Sequence, residues 1–129
     1  AICEAIYEYD KDLILMGLAG SEMIKAAKAM GLKAAAEVFA DRAYEEDGTL
    51  VARTKPGAMI EDEDQAVARV IRMIQEGKVT AITGKDIPIT ADSVCVHGDG
   101  PKALAFVEKL RSAFAAENIS IVPLTEIIR

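Results

Sequence analysis

A chain of 129 residues with 51% hydrophobic content has the length of one domain, burying roughly two-thirds of its unfolded surface. Its 15 basic and 21 acidic residues leave a net charge of −6 and a pI near 4.8, with no basic run to track a phosphate backbone, which argues against a nucleic-acid partner. No apolar run approaches the roughly 20 residues of a membrane span and no signal-like segment opens the chain, so a cytoplasmic protein with no membrane partner is expected, with Cys3 and Cys95 as buried free thiols.

The chain begins at Ala1 already apolar at helical spacing, with no Met and no capping residue, as a chain starting inside an element would. Ile2, Ala5, Ile6 and Tyr9 form the stripe of a helix that Asp10-Lys11-Asp12 ends. Leu13 to Met16 is a strand ending at Gly17. Ser21 then caps a helix carrying Met23, Ile24, Ala27 and Met30, closed by Gly31. Lys33 to Phe39 is a second strand: its alanines favour helix, but its place between a helix end and a polar loop calls for a strand. Residues 40 to 62 form a long polar segment with Asp47-Gly48 and Pro56-Gly57 turns, and irregular segments of that length are usually functional. Asp62 caps a helix over Glu63 to Gln75 with Ala66, Val67, Val70, Ile71 and Ile74 inward and Gly77 at its end. Val79 to Ile82 and Ile87 to Ile89 read as a β-hairpin, with Pro88 on an edge.

The most informative stretch is Val94 to Pro101, where a short apolar run reaches the single histidine and breaks on two glycines and a proline. Val94 and Val96 alternate with Cys95 and His97, so both faces of this strand are expected to be buried. Asp99 or Gly100 caps, and Pro101 opens, a helix running to Glu117 with Leu104, Val107, Leu110 and Phe114 inward and Asn118 as terminator. Ile119 to Val122 is the last strand. The methionines and Phe39, Phe106 and Phe114 read as core. Helices alternating with strands make this an α/β chain with a parallel core and a small β-hairpin.

Three polar clusters fall at strand ends: Glu37 with Asp41-Arg42-Ala43-Tyr44, Asp47-Gly48 through Arg53, and His97-Gly98-Asp99. In a parallel sheet they converge on the carboxyl edge and bring acids, guanidinium groups, a phenol and an imidazole to one cleft. The plain alternatives are a structural His97–Asp99 pair in a tight turn, a surface Asp41–Arg42 ion pair, a solvated Arg53, and Tyr44 packed against the loop. With one histidine, a metal centre would need carboxylates or other sequence to complete it, so no residue is assigned to a metal. The Gly98-Asp99-Gly100-Pro101 turn is not a Walker loop.

Glu37 to Tyr44, Asp47 to Arg53 and Val94 to Pro101, in this order and spacing, resemble the LamB/YcsF family over nearly the whole chain. Ala52, where members often carry Pro, and Gly100, where Asn or Thr is common, depart from its pattern. The resemblance is to the C-terminal part of a single LamB/YcsF-type domain over residues 1–129; the family's N-terminal motifs have no counterpart here. It implies part of a distorted β/α barrel of the glycoside hydrolase/deacetylase type. It also implies one component of a multi-subunit, ATP-hydrolysing 5-oxoprolinase that opens the lactam of 5-oxoproline to glutamate, with ATP as co-substrate and subunits B and C as partners, the fragment alone being inactive. On that reading His97, Asp99 and Asp41 are catalytic, and Glu37, Arg42, Tyr44 and Arg53 bind substrate. A metal requirement and assembly into a homo-oligomer stay open. The competing readings are a metal-dependent deacetylase-like carbohydrate hydrolase and a non-catalytic interaction domain.

Overall fold

A computed structural model describes residues 1–129. Helix α1 (Ile2–Tyr9) starts without a side-chain cap. Its buried contact is Cys3, with Ile6 half-buried, while Ile2 and Tyr9 face outward. The expected stripe is thus displaced: α1 reaches the core through Cys3 and Ile6, which pack with Leu15, Ile24, Ala27 and Leu32. Strand β1 (Ile14–Leu18) leads to α2 (Glu22–Ala29), where Ser21 Oγ accepts the Ile24 N–H and Gly31, at φ 77°, turns the chain away. Strand β2 spans Lys33–Phe39 as expected.

The alanines of β2 are explained by packing. Ala35 is fully buried and Ala36 nearly so. Gly17 on β1 pairs with Ala36, and a Cβ at Gly17 would stand 3.4 Å from Ile24 Cδ1. Small residues across both strands let α2 lie close to the sheet, so tertiary fit overrides helix propensity.

Strand β5 (Ser93–Cys95) completes a parallel sheet of order β1-β2-β5. Met16 pairs with Ala35, and Phe39 with Cys95. The strand stops two residues short of His97, and its residues are half-buried rather than covered on both faces. One face of the sheet, carrying Leu15, Ala36, Val38 and Val94, packs against α2, the hairpin and the long helices. The other carries the buried Ala35 together with Met16, Glu37, Phe39, Ser93 and Cys95, each of these five half-buried or exposed. Three strands form an open sheet, and β1 and β5 are unpaired along their outer edges.

Residues 40–62 double back on themselves through antiparallel bridges Arg42–Met59 and Tyr44–Leu50. Helix α3 (Glu63–Glu76) begins at Asp62, whose carboxylate accepts the Gln65 N–H at 2.9 Å, and ends at left-handed Gly77. The hairpin follows as β3 (Lys78–Thr80) and β4 (Asp86–Pro88), shorter than expected, with Val79 opposite Ile87.

Helix α4 (Ala103–Ala116) starts after Lys102 with no side-chain cap, so Asp99, Gly100 and Pro101 lie in the preceding turn. Its inward residues are Phe106, Leu110 and Phe114. Leu104 is 73% exposed, because six residues of helix place it roughly 120° around the axis from Leu110. Asn118 is left-handed, at φ 57°. Ile119 to Val122 is not a strand: it makes no ladder hydrogen bonds with β5, and it runs along an apolar cleft between β5 and α4 before the single turn α5 (Leu124–Ile127). Of the expected core residues, Phe106, Phe114 and Met73 are buried, whereas Met16, Met23 and Met59 are exposed and Phe39 is half-buried. No helix is long and apolar enough to cross a membrane.

Candidate functional site

The carboxyl ends of β2 and β5 lie side by side because Phe39 pairs with Cys95. The chain continues from them to Asp41 and His97, two residues beyond each strand. His97 Nδ1 stands 2.9 Å from Asp41 Oδ2 and 3.2 Å from Oδ1, and both side chains are partly open to solvent. A carboxylate only accepts, so Nδ1 carries the proton and Nε2 keeps its lone pair in the neutral ring. The Phe39 ring stacks on the imidazole with centroids 5.7 Å apart. An imidazole oriented by a carboxylate, with its second nitrogen free, is the arrangement of a general base.

The partner of His97 is therefore Asp41 across the sheet and not the adjacent Asp99 of the tight-turn alternative. Asp99 and Arg53 stand exposed and take no part in the pair's hydrogen bonds. Arg42 is not on the surface with Asp41: it is 7% exposed, and its Nη2 donates to Val51 O at 2.8 Å. Its buried Nε–H has no acceptor. Tyr44 is fully buried, and its hydroxyl accepts the Phe39 N–H at 2.9 Å. Burial raises the Tyr44 pKa, against a lowering by the Phe39 bond and the Arg69 and Arg42 charges. Glu37 shares a sheet face with Cys95 by register and alternation. Burial, then the Glu37 and Asp41 charges, push the Cys95 thiol up. Asp47 is tied to Thr49 at the loop tip. No three His, Cys, Asp or Glu side chains gather as a metal-holding group.

Arg69 on α3 is the neighbour that sequence reasoning missed. Its Nη1 donates to Ala40 O at 3.2 Å and its Nη2 to Arg42 O at 3.1 Å, on either side of Asp41. The signal was present: positions 66, 69, 70 and 73 follow the i, i+3, i+4, i+7 pattern of a buried face, and Ala66, Val70 and Met73 are buried. An arginine on that stripe has an internal partner or a cost.

Comparison with known proteins gives a consistent set of relatives. The family model described as "LamB/YcsF family" matches residues 1–129. A protein from Clostridium beijerinckii, named as the A-subunit of 5-oxoprolinase, is 66% identical over 127 residues, 98% of this chain and 50% of the relative. Its namesake from Fusobacterium nucleatum is 52% identical over 129 residues, the whole of this chain and 50% of that protein. The crystal structure of a lactam utilization protein from Thermus thermophilus superposes with a TM-score of 0.84 at 33% identity, over 93% of this chain and 47% of that one. The chain thus spans about half the length of the curated relatives it matches.

Proposed function

The chain belongs to the LamB/YcsF family, and from that premise we propose that it supplies one wall of the active site of a cytoplasmic, ATP-dependent 5-oxoprolinase. The reaction is hydrolysis of the 5-oxoproline lactam to L-glutamate, in an assembly with subunits B and C. The names of the relatives support a role in a 5-oxoprolinase built from more than one subunit. The observation that carries the assignment to particular residues is the Asp41–His97 pair at the carboxyl edge of a parallel sheet, the edge where α/β folds hold ligands.

A lactam is a poor electrophile, and ATP as co-substrate would make its carbonyl a better one. His97 Nε2 takes a proton from the attacking water, and Asp41 stabilises the imidazolium that forms. Glu37 faces the same side of the sheet and contacts substrate. Arg42 is too buried to reach a substrate, so the exposed Arg53 holds the substrate carboxylate. Asp99 assists from the turn, and Tyr44 supports the floor. The Gly98-Asp99-Gly100 turn has no Walker spacing, so phosphoryl transfer belongs to the assembled enzyme. The open sheet face with Met16, Glu37 and Cys95 supports a β/α barrel in which that face lines the interior, with its remaining strands drawn from the other half of the relatives' length.

In the full-length protein assembled with its partner subunits, His97→Ala lowers ATP-coupled cleavage of 5-oxoproline by about 10²-fold or more. Turnover equal to wild type would remove His97 from the reaction.

A further inference from the structure

Asp41 belongs to no helix or strand. It sits in the bend after β2, yet its carboxylate must meet a residue 56 positions along the chain. Such a group holds its aim only as firmly as its own backbone is held. Ile60 N–H donates to Asp41 O at 2.8 Å. Ala40 N–H and Ala43 N–H are held by Cys95 O and Ala58 O, and a side-chain restraint is added from α3, where one planar guanidinium donates to the carbonyls of Ala40 and Arg42. Those carbonyls flank Asp41, so a single rigid fork spans the residue. Lysine, a point charge on a flexible stem, cannot span two acceptors in this way.

Arg69 also makes no ion pair to account for its place. A half-buried charge whose hydrogen bonds go to two neutral carbonyls is desolvated without a direct ion pair, a cost that an arginine on the solvent face would avoid. Burial accordingly lowers its pKa, and the nearby Tyr44 and Asp41 oppose the shift.

We infer that Arg69 is a positioning residue for the reaction: by bracketing Asp41 it holds the carboxylate on Nδ1 of His97 and so decides which ring nitrogen is left bare. This rests on the reading of Asp41 and His97 as the reactive pair. The other titratable groups around the pair are Glu37 on β2, Cys95 on β5 and Tyr44 in the following loop.

The test reads the histidine tautomer. Full-length protein carrying 15N-labelled histidine is compared by NMR, with the His97 signals identified by their loss in His97→Gln. Wild type shows the proton on Nδ1. Asp41→Ala moves the population towards the Nε2–H form. Arg69→Gln produces a mixture of the two, and kcat of the assembled enzyme falls about 10-fold with KM changed less than about 2-fold. A wild-type tautomer in Arg69→Gln overturns the positioning role. The same result in Asp41→Ala overturns the pair itself, so the two failures are distinct. Should circular dichroism show Arg69→Gln unfolded, Arg69→Lys decides: it keeps the charge and loses the fork, and a mixed tautomer supports the inference whereas a wild-type one overturns it.

Discussion

The phenol of Tyr44 lies beneath the site, where its hydroxyl receives the Phe39 N–H and so steadies the ring on which His97 stacks. Tyr44→Phe leaves that N–H without an acceptor, at a cost of about 1–3 kcal/mol, read as a lower urea midpoint with an unchanged slope. A midpoint equal to wild type would show that the N–H finds another acceptor. The site residues were unequally legible from the sequence. His97 and Asp41 could be placed just past apolar runs because those runs break on polar residues and glycines, although β5 itself stops two residues before His97. That they bond to each other, and that Arg42 and Tyr44 turn inwards, depends on the fold of residues 40–62, whose bridges join positions with no periodic signal.

Among the elements, the hairpin packs on α3 through Met73, Val79 and Ile87, with an exposed charged cluster at its edge. Arg72 meets Asp86 through both Nη atoms and also bonds Glu76 through Nε and Thr80 through Nη1. Hydrogen bonds from Arg72 and Thr80 hold the Asp86 carboxyl well below the usual carboxylate range. A carboxyl with a depressed folded pKa stabilises the fold above its unfolded value, near 4, and loses that contribution as pH falls further. The melting temperature is therefore expected to drop between about pH 4 and pH 2, and Asp86→Asn to flatten part of that slope; an identical profile in the variant would exclude the pair as its source. Most helix ends were well read because caps are local: Ser21, Asp62, Gly77 and Asn118 act where expected, whereas α4 starts after Lys102 with no side-chain cap rather than at Pro101. Strand ends were not, because a strand exists only where a partner does. Ile119 to Val122 has the apolar content of a strand and makes no ladder hydrogen bonds with β5.

Across the whole molecule, β2 is the one strand bonded on both sides. Native-state hydrogen exchange should be slowest in Lys33–Phe39 and faster in β1 and β5, since edge strands open more readily; equal protection in all three would mean that the outer edges are covered. The α/β class and the parallel core were legible from the alternation of elements. One consequence concerns time. Asp41 and His97 are 56 residues apart, and β2 and β5 meet only after α3 and the hairpin between them have been placed. Contacts of such long sequence separation form slowly and late. The Asp41–His97 pair is then among the last contacts to appear during folding, so chemistry at His97 reports a finished fold: a chain that has collapsed but not yet docked β5 has every residue of the pair and no base.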